Sequence, residues 1–296
     1  EIRLSLVGSE MCIRDRKKTM YDRYATEKLI DLWLTEDIGA CDLTVQTMIE
    51  PTEQGHFVMN ARESLIVAGI DIAARVFQKY DPTLAVEVHV ADGERVGKGK
   101  VLMTVKGSAR SVLTAERTAL NLMQRLSGIA NETARYVQAI EGTRAQLIDS
   151  RKTTPGLRML EKHAVLCGGG LNHRLALDNG VMVKDNHIAV CGSIAEAVAR
   201  VRRKLPVLTK LEVECDRVDQ VREALAAGVD VIMLDNMSLP DMAESVAIVA
   251  GRTKVEASGG IRLETIRPIA ETGVDYISTS KITQSAPAVD IGLDEA

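Results

Sequence analysis

Residues 151–174 concentrate positive charge around a glycine-rich turn. The stretch RKTTPGLRMLEKHAVLCGGGLNHR has Glu161 as its single acidic residue and three successive glycines at 168–170. Guanidinium groups bind planar carboxylates through two parallel hydrogen bonds, whereas lysine acts as a point charge for carboxylate or phosphate. Cations beside flexible backbone therefore indicate an anionic ligand. The cationic side chains of the stretch are Arg151, Lys152, Arg158, Lys162, His163, His173 and Arg174.

Further polar residues stand where short apolar runs end. Lys184 follows VMV, Glu214 ends the run LEVE, and Asp235 ends VDVIMLD. The turn Ser258-Gly259-Gly260 follows KVEA, and the polar residues 278–281 follow VDYI. If these runs are parallel strands, their carboxyl ends meet at one mouth, where β/α barrels carry their active sites. The sequence thus predicts a pocket for a ligand with several negative charges, and the acids in it imply a cation there as well.

Each candidate also has a structural explanation that the sequence leaves open. Glu214 and Asp235 could cap the helices that follow them. Lys184 could be a solvated strand-end lysine, and Ser258–Gly260 could be a plain tight turn rather than a phosphate site. For His173, in the Asn-His-Arg turn, a ligand role is favoured. Packing, surface or loop-bracing roles are the alternative for the other candidates, namely His163, His187, Arg117 and Arg125.

Repeated strand–helix units after residue 143 must bring these residues together. The runs AQLID, VMVKD, KLEVEC, VDVIMLD, KVEAS and VDYISTS alternate with segments of helical spacing. Buried apolar strands followed by helices are typical of a parallel β/α architecture, and the repeated Gly-Val-Asp favours a barrel over an open sheet. The sequence offers six clear strands, where a complete barrel has about eight. We therefore predict an α/β protein with an open, incomplete β/α barrel.

The residues before 143 follow a different pattern. Helical spacing in YATEKLIDLWLTED and IDIAARVFQKY, with alternation in HFVMNARE and LAVEVHV, predicts helices and strands of a mixed α/β unit. The stretch SVLTAERTALNLMQRLSGIANETARYVQAI predicts a long amphipathic helix that is interrupted near Gly128. Residues 1–19 show neither period, so we regard them as extraneous, with Met20 as the expected start.

Composition narrows the class of protein. The 296 residues are 46% hydrophobic with a net charge of −4, which describes a soluble globular chain and argues against a nucleic-acid partner. The five cysteines form no Cys-x-x-Cys pair, which indicates a reducing cytoplasm. No apolar run approaches the roughly 20 residues that a membrane-spanning helix needs. We expect a cytoplasmic protein with neither nucleic acid nor membrane as partner.

The stretch DSRKTTPGLRMLEKHAVLCGGGLNHRLALDNGVMVKDNHI resembles the signature of the quinolinate phosphoribosyltransferases. The supporting stretches are EDIGACDLT, LTAERTALNLMQRLSGIA, LEVEC, IMLDN and EASGGI, and the resemblance covers nearly all of the chain after residue 20. It implies an amino-terminal α/β sandwich over residues 20–127, completed by residues 283–296, and an open β/α barrel over residues 128–282. It also implies a homodimer with shared active sites.

The resemblance implies an activity as well. This is transfer of phosphoribosyl from phosphoribosyl pyrophosphate to quinolinate with decarboxylation, giving nicotinate mononucleotide, pyrophosphate and CO2, a step of de novo NAD biosynthesis that requires Mg²⁺. Lys152, Lys184, Glu214 and Asp235 would be catalytic, the two acids facing the ribose and its Mg²⁺, and Arg117 would enter from the partner subunit. The implied substrate-binding residues are Arg117, Arg151, Lys152, His173, Arg174, Lys184, Glu214, Asp235, Ser258, Gly259, Gly260, Thr279, Ser280 and Lys281.

The chain departs from the family pattern at a few positions. Ser150 stands where threonine is commoner, Cys41 where glycine is usual, and Leu171 where a polar residue often precedes Asn-His-Arg. Residues 278–281 replace a more glycine-rich turn, which leaves the donors of the phosphate loop open. Two alternatives remain: a paralogue acting on another acceptor, such as nicotinate or a protein associated with molybdenum transport, and a non-catalytic phosphate-binding protein.

Overall fold

The computed structural model describes residues 21–296, so the segment 1–19 lies outside the described residues. Its first part contains three shorter helices, a long helix and two small sheets. The helices are α1 (Arg23–Ile38), α2 (Leu43–Met48), α3 (Ile70–Tyr80) and α4 (Ala109–Ala139). The strands are β1 (Gln54–Ala61), β2 (Leu65–Ile66), β3 (Ala85–Val88), β4 (Arg95–Val96) and β5 (Val101–Ser108).

A four-stranded sheet and two helices form the amino-terminal sandwich. The sheet has the order β12-β1-β5-β3, where β12 is Ile291–Glu295 near the other end of the described chain. Strand β12 pairs antiparallel with β1, and Phe57 lies opposite Glu295. Helices α3 and α4 pack against this sheet and bury apolar residues such as Phe77 and Val112. The last strand of the described chain therefore belongs to its first sheet.

Helix α4 runs unbroken past Gly128, so the predicted interruption there is wrong. Gly128 is buried, and a Cβ at this position would collide with the backbone oxygen of Pro287. The glycine therefore serves the close approach of the chain near residue 287 and does not break the helix. The expected domain boundary at 127/128 falls within this continuous helix.

Six parallel strands form the second part of the molecule. Their order is β6-β11-β10-β9-β8-β7, and every neighbouring pair is parallel. In the described chain, the end strands β6 and β7 do not pair with each other, and only an isolated bridge joins Ile148 to Leu171. The prediction of an open β/α barrel beside an amino-terminal sandwich is confirmed. The strands are β6 (Gln146–Ile148), β7 (Val181–Val183), β8 (Leu211–Cys215), β9 (Val231–Asp235), β10 (Lys254–Ser258) and β11 (Tyr276–Ser278).

Helices connect the barrel strands and cover their outer side. Ser193 and Ser238 cap two of them by accepting hydrogen bonds from the backbone N–H of the third helical residue. The helices are α5 (Arg158–Cys167), α6 (Asp185–Cys191), α7 (Ile194–Arg202), α8 (Val218–Ala226), α9 (Leu239–Val249), α10 (Ile266–Glu271) and α11 (Lys281–Gln284). Among residues 21–296, none of the helices has the length and apolar character to span a membrane.

Candidate active site

A cavity of about 520 Å³ opens at the carboxyl ends of the barrel strands. Apart from Arg117, every residue that the resemblance assigned to substrate binding lies on its wall. The structure therefore brings together side chains that are up to 130 positions apart in the chain, counted from residue 151 to residue 281. The predicted residues on the wall are Arg151, Lys152, His173, Arg174, Lys184, Glu214, Asp235, Ser258, Gly259, Gly260, Thr279, Ser280 and Lys281.

Arg151 and Lys152 lie in the loop that leaves β6. The backbone N–H of Lys152 donates to Ser150 Oγ at 3.1 Å, and its carbonyl accepts from Thr283 Oγ1 at 2.9 Å. The backbone of the loop is thus tied at both sides, while the Nη1 atom of Arg151 is buried without a hydrogen-bond partner among the described residues. A buried guanidinium nitrogen without an acceptor on a cavity wall is suited to an anionic ligand.

Arg174 and Lys184 bring further positive charge to the cavity. Arg174 Nη1 donates to the carbonyl of Gly180 at 3.1 Å. Burial, and then the charge of Arg151, lower the pKa of Arg174. Lys184 Nζ pairs with Glu214 Oε2 across neighbouring strands. Because Arg151 and Arg174 repel each other, an anion bound beside them would relieve that repulsion.

Glu214 is the last but one residue of β8 and Asp235 is the last residue of β9, and both line the cavity. Helix α8 begins after Arg217, and helix α9 is capped by Ser238, so neither acid caps the helix that follows it. Instead, Glu214 pairs with Lys184, and Asp235 Oδ2 accepts a hydrogen bond from Asn236 Nδ2 at 2.8 Å. The helix-capping alternative is therefore wrong for both residues.

The serine-glycine turn takes a conformation that excludes larger residues. Gly259 and Gly260 have φ values of +91° and +60°, and a Cβ on Gly259 would collide with the side chain of Asn236. Helix α10 starts only at Ile266, so the turn that lines the cavity is not a helix terminus. At the end of the neighbouring strand, Thr279 Oγ1 donates to the carbonyl of Ile261 at 3.0 Å, which fixes the second loop against this turn.

Both ring nitrogens of His173 are engaged by the protein. Nδ1 accepts the backbone N–H of Arg174 at 2.7 Å, and Nε2 lies 2.9 Å from Glu212 Oε2. Because Nδ1 is an acceptor, the proton of a neutral ring stands on Nε2 and is donated to Glu212. A direct hydrogen bond from His173 to a ligand would require one of these contacts to break.

Two buried glutamates beneath the cavity escaped the sequence analysis. Glu212 and Glu256 lie inside the barrel, and Glu256 Oε2 is 3.6 Å from the Nε2 atom of His173. Burial, followed by the charge of Glu212, raises the pKa of Glu256 well above its ordinary value. The alternation of side chains along a strand could have revealed them. Glu212 lies on the same strand face as Glu214, and Glu256 lies on the same face as Ser258.

A second buried pair, Asp149 and Lys162, anchors the turn that carries His173. Lys162 Nζ lies 2.5 Å from Asp149 Oδ1, and both side chains are fully buried. Asp149 also accepts the backbone N–H of His173 at 2.8 Å and the amide of Asn172 at 2.8 Å. Burial raises the pKa of Asp149 and lowers that of Lys162, each partly offset by the charge of the partner.

The remaining candidates lie away from the cavity. Arg117 is on α4 with 58% of its side chain exposed, 3.9 Å from Glu116. Arg125 pairs with Glu161 at 3.0 Å and donates to carbonyls of Thr283 and Ala286. His163 packs against Tyr21, and His187 Nδ1 accepts the backbone N–H of Lys184. Arg125, His163 and His187 thus have the structural roles that the sequence left open, whereas the role of Arg117 stays a prediction.

Together, the fold and the cavity define a β/α-barrel protein whose strand ends are built to receive a small molecule with several negative charges. Family models match most of the described chain. Residues 42–127 match the amino-terminal domain of quinolinate phosphoribosyl transferase, and residues 129–294 match its carboxyl-terminal domain. The chain belongs to the quinolinate phosphoribosyltransferase family.

Individual relatives agree with this assignment. A probable carboxylating nicotinate-nucleotide pyrophosphorylase of Synechocystis is 44% identical over 265 residues, which cover 88% of this chain and 89% of the relative. The protein of the same name from Bacillus subtilis is 43% identical and covers 90% of this chain and 92% of its own length. The crystal structure of NadC from Streptococcus pyogenes superposes with a TM-score of 0.89 at 38% identity, covering 94% of this chain and all of that one.

Proposed function

We propose that this protein transfers phosphoribosyl from phosphoribosyl pyrophosphate to quinolinate and decarboxylates the product, yielding nicotinate mononucleotide, pyrophosphate and CO2 for NAD biosynthesis. It is a pentosyltransferase. The observation that carries the proposal is the single cavity in which Arg151, Lys152, Arg174 and Lys184 face Glu214 and Asp235. The names of the relatives support the same reaction over transfer to nicotinate.

The cations divide between the two substrates. Quinolinate carries two adjacent carboxylates, and arginine matches a planar carboxylate with two hydrogen bonds. We assign Lys152 and Arg174 to quinolinate, and Arg151 and Lys184 to quinolinate and the phosphates. The N–H groups of Ser258–Gly260 and the loop of Thr279, Ser280 and Lys281 are assigned to the 5-phosphate, because they lie at neighbouring strand ends of the same cavity.

The acids are suited to Mg²⁺, which prefers a few carboxylates together with phosphate oxygens. Glu214 and Asp235 offer hard oxygen ligands from neighbouring strand ends, and Lys184 engages one oxygen of Glu214. When bound, Mg²⁺ would neutralise charge on the pyrophosphate group. The fit of the residues supports a magnesium site, and the metal is part of the proposal.

The charges of the cavity suit each stage of the reaction. As pyrophosphate leaves, positive charge develops on the anomeric carbon, and the carboxylates of Glu214 and Asp235 stabilise it. The ring nitrogen of quinolinate then attacks that carbon from the opposite side. The alkylated nitrogen withdraws electrons from the ring, so the neighbouring carboxylate leaves as CO2 and a proton takes its place. The remaining carboxylate stays bound to the cations.

Arg117 extends the proposal to a homodimer. Its side chain is half exposed and lies outside the cavity of its own chain, as expected for a residue that completes the site of a partner. We further propose that the enzyme works in the cytoplasm, with neither nucleic acid nor membrane as partner.

A pyrophosphate-release assay with quinolinate and phosphoribosyl pyrophosphate tests the proposed activity. Turnover with quinolinate and none with nicotinate is expected. A protein that binds quinolinate without releasing pyrophosphate would instead be a non-catalytic binding protein. Turnover with nicotinate alone would indicate the paralogue.

Two variants test the assignment of the cations. Lys152→Ala and Arg174→Ala should raise the KM for quinolinate by about tenfold or more, since each removes a charged contact worth about 1.5–3 kcal/mol. The KM for phosphoribosyl pyrophosphate should change much less. Lys204→Ala, an exposed lysine outside the cavity, is the matched control. Equal increases of both KM values would contradict the assignment.

Complementation tests the shared site. Arg117→Ala and Lys184→Ala variants, each inactive alone, should regain part of the activity when mixed, because a heterodimer would contain one intact site. Absence of any recovery after verified subunit exchange would contradict the role of Arg117.

A further inference from the structure

The carboxylates of Glu212 and Glu256 form an unbalanced cluster in the barrel interior. Both residues are buried, and each has one carboxyl oxygen without a hydrogen-bond partner among the described residues. Their other oxygens converge on the Nε2 atom of His173, at 2.9 and 3.6 Å. Buried acids in contact are costly, so their presence indicates a task other than stability.

His173 transmits this contact to the cavity wall. Its Nε2 proton is directed at Glu212, which fixes the plane of the ring. With the ring fixed, Nδ1 receives the backbone N–H of Arg174 at 2.7 Å. Lys162 and Asp149 hold the backbone of His173 on both sides, through its carbonyl and its N–H. The backbone from which the Arg174 side chain departs is therefore held by the imidazole.

This arrangement argues against a metal at the cluster. The Nε2 atom would have to ligate the ion, but the lone pair of a neutral ring is at Nδ1, where it accepts the N–H of Arg174. Glu212, Glu256 and His173 have donor atoms close enough for an ion, yet the hydrogen bond to Nδ1 keeps the proton on Nε2. The cluster is consequently suited to hold the ring in place.

We propose that Glu212 and Glu256 are positioning residues, which act through the imidazole of His173 to hold Arg174 in the orientation that binds quinolinate. The inference rests on the proposed function, since it concerns the binding of quinolinate in the same cavity. It adds two buried residues that act on the ligand-binding residue Arg174 through His173.

Steady-state kinetics of Glu212→Gln and Glu256→Gln in the assembled enzyme test the proposal. Glu212→Gln should raise the KM for quinolinate by up to about tenfold, because an amide oxygen accepts the Nε2 proton less strongly than a carboxylate does. Glu256→Gln should raise it less, because its carboxylate is farther from the ring. The KM for phosphoribosyl pyrophosphate should stay within about twofold, because Arg174 is assigned to quinolinate. Glu271→Gln, at an exposed position outside the cavity, is the matched control.

A double-mutant cycle separates positioning from a general structural effect. In a His173→Asn background, Glu212→Gln should change the quinolinate KM by less than about twofold, because the link that it acts through is already lost. The thermal midpoint of both glutamine variants should equal or exceed that of the wild type. A full effect of Glu212→Gln in the His173→Asn background would overturn the proposal. Equal rises of both KM values would do the same.

A direct binding measurement keeps the two proposals apart. Calorimetric titration of the variants with quinolinate alone should show the same loss of affinity as the KM values. If the wild type binds quinolinate but releases no pyrophosphate, the proposed function fails while the positioning role is still measured. If the wild type turns over and both variants bind quinolinate as it does, the positioning role fails alone.

Discussion

The barrel interior contains two buried polar clusters that differ in charge balance. Asp149 faces Lys162, and its carboxylate accepts three hydrogen bonds. Glu212 and Glu256 face each other and His173, and one oxygen of each lacks a partner among the described residues. The first cluster has the properties of a structural ion pair. The second keeps an excess of acid directly beneath the ligand cavity, where proteins accept a loss of stability in exchange for function.

Removing one charge of the Asp149–Lys162 ion pair should have the largest effect on stability. Lys162→Met leaves the carboxylate of Asp149 buried without its countercharge, which is expected to lower the free energy of unfolding by about 3–5 kcal/mol. Urea unfolding followed by circular dichroism measures the change. A loss below about 1 kcal/mol would show that the ion pair of Asp149 and Lys162 does not stabilise the fold as a structural ion pair should.

Removing both charges of that pair should cost less than removing one. Asp149→Asn combined with Lys162→Met leaves no buried ion, so the expected loss is below about 2 kcal/mol, and part of the single-variant loss is recovered. The same urea titration applies. A double variant that is less stable than Lys162→Met would mean that the hydrogen bonds of Asp149, not its charge, dominate.

In the unbalanced cluster, Glu256→Gln should leave the stability unchanged or raise it by about 1 kcal/mol. The pKa of Glu256 is raised on folding, so the native state binds its proton more tightly than the unfolded state does. Stability is therefore lost as the pH rises above the unfolded pKa of about 4.3, and glutamine removes that loss. Unfolding free energies should favour the variant more at about pH 8 than at about pH 5. The opposite trend would contradict the charge imbalance.

The smallest effect is expected at the surface. Glu196→Gln breaks an exposed pair with Arg200 one helical turn away. Solvent screens such pairs, so the thermal midpoint should stay within experimental error. A clear loss there would indicate that charge removal in general, rather than burial, explains the other variants.

The site residues at the ends of strands could be predicted from the sequence. Parallel strands place their carboxyl ends at the same side of the sheet, whether the barrel is closed or open. Lys184, Glu214 and Asp235 needed only the apolar runs before them. The same reasoning failed for Glu212 and Glu256, because an acid within a strand suggests a solvent-facing position unless the interior of the barrel is known to hold polar groups. His173 was placed in the site, but its engagement by Glu212 depends on a strand 39 positions further along the chain.

Gly128 shows a different limit of sequence reasoning. Glycine is a poor helix former, so its position inside a long helical pattern indicated a break. Glycine is needed at this position because the backbone of Pro287 approaches the helix closely, and no local sequence pattern reveals that contact. Rejecting the helix-capping alternative for Glu214 and Asp235 likewise required knowing that Arg217 and Ser238, not the two acids, immediately precede the next helices.

The pairing of β12 with β1 has a consequence for how the chain reaches its native state. Asn60 and Asp294 of these strands are hydrogen-bonded although 234 positions separate them. Closing so long a loop is slow, because its entropy must be lost before the contact can form. During synthesis the first sheet thus keeps an open edge at β1 until the barrel has emerged from the ribosome, and this edge is the place where premature association of nascent chains would begin.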